Sequence, residues 1–230
     1  MNPESQVAAE PFIPSKPMAM LAGLLKAPAS VAAAIAGDKG APNTIALLLV
    51  FAGLFHAFFG FAVGLFGGWP VAGVAALKSA AIAYASLVIC LPSLYVFSAV
   101  GGAYLSFRQT LMLGSAALAM VGILLIGLAP VAWLFSVSTA SLPFMVVLTL
   151  MIWFTALMFA IRFTGELRAH EGFQRPGGIT AWFIVYVLVS FQMTTCLRPI
   201  LTRTEPGQGW ITGQKQFFLA HFDSCFGYQK

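Results

Sequence analysis

His56 lies in the middle of a long apolar run and is the side chain of this sequence best suited to chemistry inside a membrane. An imidazole there can relay a proton, ligate a haem iron or hold a metal. Each of those tasks takes a second ligand or a proton partner. No other His, Cys or Met stands three or four residues from it. The favoured reading is a neutral ring hydrogen-bonded to a hydroxyl or carbonyl of a neighbouring helix. A second constellation, Glu166, His170 and Glu171, stands in the polar stretch TGELRAHEGFQRPGG. Glu166 and His170 are one helical turn apart and could ligate a cation together. Arg168 and Arg175 oppose a cation there, so a solvated loop is favoured.

No Ser/His/Asp set, CxxC pair, phosphate-cradling glycine loop or dinucleotide fingerprint occurs. No catalytic, cofactor-binding or metal-ligating residue is therefore assigned, no cofactor is expected, and the chain reads as non-enzymatic. Between Asp38 and Glu166 there is no carboxylate. Ion- and proton-coupled carriers usually keep one at membrane depth, so coupled transport is disfavoured.

The elements that carry these residues follow from composition. Of 230 residues, 60% are hydrophobic and 8% are charged, against roughly a quarter charged in soluble domains. So little charge cannot cover a surface facing water, and most of the surface must face lipid. A crossing helix needs about 20 apolar residues. Five segments qualify, at about 44–66, 76–99, 111–135, 142–163 and 179–197. The fold class is thus all-α, a polytopic bundle of five transmembrane helices with amphipathic interfacial flanks. Gly67-Gly68-Trp69-Pro70 reads as a breaker after the first span, and Lys78 as a first-turn residue of the second that snorkels to the head groups. Gly73 to Ala81 could instead form a separate interfacial helix. Pro92 should kink the second span without ending it.

Residues 1–43 read as an inside stretch with two interfacial helices, Met18 to Lys26 and Ser30 to Ala36, and no cleavable signal peptide. Residues 198–230 read as an outside tail with Phe217, Phe218 and Phe222 on one stripe. One side of the membrane receives Lys16, Lys26, Lys39, Arg108, Arg162, Arg168 and Arg175. The other receives Lys78, Arg198, Arg203, Lys215 and Lys230. Among internal loops the bias is four against one, which puts the N-terminus inside and the C-terminus outside, in a bacterial inner membrane. The net charge of +5 is spread over termini and loops. It suits topology and anionic lipid rather than nucleic acid.

Several polar and small residues could shape the interior. Gly53, Ala57, Gly60, Gly64 and Gly68 form a small-residue face on the first helix, where another backbone can approach closely. Its neighbour is expected in the same chain. Tyr84, Ser86, Cys90, Ser93, Tyr95 and Ser98 surround Pro92. They either satisfy the carbonyl freed by the proline or line a cavity. Ser190, Gln192, Thr194 and Thr195 make a polar end on the fifth helix, and Gln192 should have an interhelical partner. Cys196 and Cys225 share the outside surface on this topology and could pair there, while Cys90 stays reduced.

The inside stretch with Leu24-Leu25-Lys26-Ala27-Pro28, five apolar helices and a proline-kinked second span resembles the Yip1-type group of small membrane proteins. The resemblance implies a five-helix membrane fold, with membrane traffic as the role of the eukaryotic members, and implies no catalytic residue. Two function classes remain open. One is a non-enzymatic scaffold or accessory subunit, acting through membrane lipids and through other membrane proteins or a second copy. The other is a small transporter or channel for an uncharged or apolar solute.

Overall fold

The computed structural model describes residues 17–37, 43–102, 105–168 and 177–196. Among them it is all-helical: α1 (Pro17–Lys26), α2 (Pro28–Ala36), α3 (Thr44–Gly64), α4 (Trp69–Val100), α5 (Phe107–Ser138), α6 (Leu142–Arg168) and α7 (Gly177–Cys196). A single 3₁₀ turn, Leu65–Gly67, closes α3. Among the described residues four helices are long and apolar enough to cross a membrane: α3 with its 3₁₀ turn, α4, α5 and α6. The expected fifth span corresponds to α7, whose apolar stretch, Ala181–Thr194, is shorter.

The α3–α4 connection differs from the sequence reading. Gly68 has φ +96°, a left-handed conformation that a side chain would strain. That residue ends the first helix and serves as the N-cap of the next. Pro70 then sits in the first turn of α4, where its missing N–H leaves no bond unmade. The first span does end at this breaker, and the proline also opens the next helix. Hence α4 begins at Trp69 and runs unbroken through Gly73 to Ala81, with no separate interfacial helix there. Lys78 is accordingly not in the first turn. It stands in the third and is only 5% exposed, so it does not snorkel along the lipid face.

The start of α5 is set by a capping box. Ser106 Oγ accepts from the Gln109 amide at 3.2 Å, and Gln109 Oε1 accepts from the Ser106 amide at 2.7 Å. Two orphan donors of the first turn are thereby satisfied. The short connection at 139–141 brings α6 back beside α5, and Phe135 meets Phe144 at 5.2 Å. α6 runs on through TGELR to Arg168, so Glu166 belongs to a helix and not to a loop. Its side chain, together with His170 and Glu171, lies outside the described residues.

α5 is the centre of the bundle. Every residue from 112 to 122 is buried, on all faces of the helix. The run is rich in Ala, Gly and Ser, and small side chains let neighbours approach closely without a hydrophobic driving force in lipid. α3, α4 and α6 surround it, and α1 and α2 close the remainder. Met20, Leu24, Val31, Ala32 and Ile35, at most 1% exposed, turn the two short helices onto the bundle. α7 runs antiparallel along α4: Trp182 reaches Cys90, and Gly178 lies against Phe97.

Candidate functional site

The small-residue face of α3 is occupied from within the chain. A Cβ on Gly60 would come within 2.5 Å of Ser79 Cβ and 2.7 Å of the Ala75 carbonyl oxygen. A Cβ on Gly64 would lie 2.6 Å from Ala75 Cβ and 2.8 Å from Ala72 Cα. These are backbone approaches that only glycine permits. Gly53 serves a different purpose, since its Cβ would fall on the Tyr84 ring and hydroxyl. Through that gap Tyr84 Oη donates to the Leu49 carbonyl at 2.8 Å, a bond between α4 and α3. Ala57 is half-buried beside these contacts. Gly68 does not belong to the stripe, because its backbone leaves the helix; the nearest atom to a Cβ there is Pro70 Cδ at 3.9 Å.

His56 is buried, and its ring N–H donates from Nδ1 to the Ala52 carbonyl at 2.7 Å. The expected partner on a neighbouring helix is thus replaced by a carbonyl four residues back on its own helix. The ring rests over Gly122 of α5, where a Cβ would be 3.3 Å from Nδ1 and 3.2 Å from Phe55 Cβ. Among the described residues no group of three or more His, Cys, Asp or Glu comes together to hold a metal.

The polar set around Pro92 divides among separate partners in the described residues. By the helical pattern the proline frees the carbonyl of Val88. Ser93 Oγ donates instead to the Cys90 carbonyl at 2.7 Å. The same carbonyl accepts Trp182 Nε1 of α7 at 2.8 Å. Tyr95 is 46% exposed and faces away from the interior, which corrects its assignment as a buried polar residue. The hydroxyls of Ser86 and Ser98 are buried and make no hydrogen bond among the described residues. In α7, Thr194 Oγ1 donates to the Ser190 carbonyl at 2.9 Å, and Gln192 is half-buried beside them. The side chains of Thr195 and Cys196, and all of Cys225, lie outside the described residues, as does the pairing expected of the two cysteines.

A narrow, largely apolar crevice lies between α4, α5, α6 and α7, with Leu87, Gly114, Leu118, Leu157, Trp182 and Tyr186 on its walls. Toward the end where α6 begins, Phe191 packs 5.4 Å from Trp153 and 5.7 Å from Phe154. Three residues that organise these interfaces were not singled out from the sequence: Trp182, Gly122 and Gly178. A lone tryptophan amid apolar residues, with an indole N–H that must be satisfied when buried, was the available signal for the first. The glycines give none before their neighbours are known.

No family model matches this chain, and comparison with curated proteins and with solved structures returned no match.

Proposed function

We propose that the chain is a non-enzymatic membrane scaffold or accessory subunit that works through helix packing and contacts at the membrane surface. The observation that carries this reading is the burial of the middle of α5 on all its faces. Every residue of α5 from 112 to 122 is buried, and two side-chain hydrogen bonds, Tyr84 to Leu49 and Trp182 to Cys90, join the helices around it. A protein built this way presents its outer faces to partners. Those faces carry large apolar side chains, among them Phe58, Val88, Met151 and Leu188. The partners are membrane lipids and other membrane proteins or a second copy of the chain.

This reading includes five crossings, with α7 as the last, the N-terminus inside and the C-terminus outside, in a bacterial inner membrane. Support for the fifth crossing comes from length and pairing. α7 has 20 residues, about 30 Å at 1.5 Å per residue, and it lies along α4 from Gly178 to Trp182 and beyond. A likeness in layout to the Yip1-type group is part of the same proposal. Affinity purification in mild detergent with mass spectrometry tests the scaffold reading. A stable stoichiometric partner or a self-assembly is expected, and recovery of the chain alone as a monomer overturns it.

The crevice beside Trp182 and Tyr186 favours one rival, passage of an uncharged or apolar solute along α4 and α7. Uptake of such solutes by reconstituted proteoliposomes above protein-free vesicles would establish that rival.

A further inference from the structure

We infer that the bundle meets the bilayer surface at two levels: Trp69 and Trp133 lie in the glycerol-ester layer of one leaflet, and Arg162 lies among the phosphates of the other. The inference rests on the membrane-surface contacts proposed above and adds where along the bundle they fall. The levels follow from contacts between helices. Gly60 lies against Ala75 and Ser79, and Tyr84 reaches Leu49. α3 and α4 are therefore antiparallel, and Thr44 is about level with 89–93 of α4. On α5, Gly122 rests on Ala52, Phe55 and His56 of α3. Trp133, about three turns further along, is then level with the end of α3, where the chain turns at Gly68 into Trp69. The two tryptophans share one end of the bundle, and they are 75% and 51% exposed.

The other level is set by α6. Phe144 meets Phe135, and Leu157 and Ala160 share the crevice with Gly114 and Leu118 of α5. Gly114 in turn lies against Leu87, Leu91 and Leu94 of α4. Arg162 therefore stands within about one turn of the level of Thr44. It is exposed, and it follows Met151, Phe154 and Met158 along the outer face of α6. At 1.5 Å per residue the two levels are about 24–32 Å apart, which matches a hydrocarbon core of roughly 30 Å. Exposed side chains in the interval are apolar, among them Val50, Leu54 and Phe58 of α3 and Leu77 of α4. Among the described residues of α3 to α6, Lys78 is the only charged one in that interval, and it is buried. An indole ring, apolar with one polar edge, suits the ester layer. An exposed guanidinium is costly in hydrocarbon and pairs readily with phosphate. α4 continues for about 15 Å beyond the Arg162 level, so Val96 and Val100 stand outside the hydrocarbon.

The test uses the full chain in vesicles of phosphatidylglycerol and phosphatidylcholine, opened to a water-soluble maleimide on both faces. Single cysteines are placed at exposed positions after the native cysteines are replaced by serine, and each labelling rate is divided by that of the same variant in detergent. Val96→Cys, Val100→Cys and Arg162→Cys should label about ten-fold faster than Leu77→Cys, Ala81→Cys and Met151→Cys, because a thiolate does not form in hydrocarbon. The second readout keeps the native cysteines. Emission lost on Trp69→Phe or on Trp133→Phe should be quenched more by lipids brominated near the head group than by lipids brominated near the chain end. Protection of Val96→Cys and Val100→Cys equal to that of Leu77→Cys overturns the placement. Quenching of either tryptophan chiefly by the deep bromines overturns it as well. Both readouts report depth whether or not a partner is bound, so partner recovery reads the scaffold proposal separately.

Discussion

The indole nitrogen of Trp182 donates to the carbonyl of Cys90 at 2.8 Å, and this bond ties α7 to α4 beside the proline of the longer helix. Pro92 interrupts the backbone ladder two residues further on, and Ser93 serves the same carbonyl. Trp182→Phe keeps the ring packing against Phe183 and Tyr186 but removes the donor. The expected loss is about 0.6–1.7 kcal/mol, the range of interhelical hydrogen bonds in membranes. Unfolding in mixed micelles measures it, and a variant as stable as wild type would show that the bond contributes nothing net.

The glycines of α3 and α5 should divide sharply by what surrounds them. Gly60→Ala places a methyl against Ser79 and the Ala75 carbonyl, and overpacking of this kind costs about 1–3 kcal/mol. Gly60→Leu or Gly64→Leu should prevent assembly of α3 with α4 altogether. Gly127 has nothing within 4 Å of a Cβ, so Gly127→Ala should be neutral or stabilise by up to about 1 kcal/mol. Yield and thermal midpoint in detergent compare the set. Equal behaviour of Gly60→Ala and Gly127→Ala would remove the packing role assigned to the stripe.

Gly53 and Tyr84 should behave as one unit. Gly53→Ala is expected to displace the tyrosine ring and break its bond to Leu49. In a Tyr84→Ala background the same substitution should be tolerated. A double-mutant cycle should therefore return a coupling of about 0.5–3 kcal/mol, the span for residues in contact. Additive effects would mean that the two do not meet in the membrane.

Topology follows from the five-crossing proposal. A reporter fused after Lys230 should be active only in the outer compartment, whereas one fused within the 169–176 connection should be active only inside. A cytoplasmic signal from the first fusion would leave α7 on the surface, with four crossings in all.

Much of this architecture is legible as composition and length, because lipid demands continuous apolar helices and tolerates little else. The stripe at Gly60 and Gly64 was readable from its four-residue spacing. Extending it to Gly68 was the error, since spacing alone does not tell a helical glycine from one at φ +96°. The boundary at Gly67 to Pro70 is legible, but the start of the second helix at Trp69 rather than near 76 is not: a proline signals a boundary without saying which side of it the helix lies on. Lys78 was misplaced in consequence. The partners of His56, Tyr84 and Trp182 could not be read at all. They depend on which helices become neighbours, and in a chain apolar on every face no periodicity records that choice.

The enclosure of α5 has a consequence for biogenesis. Entering the bilayer in chain order, α5 arrives after α3 and α4 but before α6 and α7 exist to cover it. During that interval its alanines, glycines and serines face lipid, which they hold less well than leucine or phenylalanine would. α3 and α4 must therefore already be paired to receive it. A defect at Gly60 or Gly64 would then act during synthesis, before any finished bundle exists to be destabilised, and quality-control proteolysis of the nascent membrane domain would be its visible result.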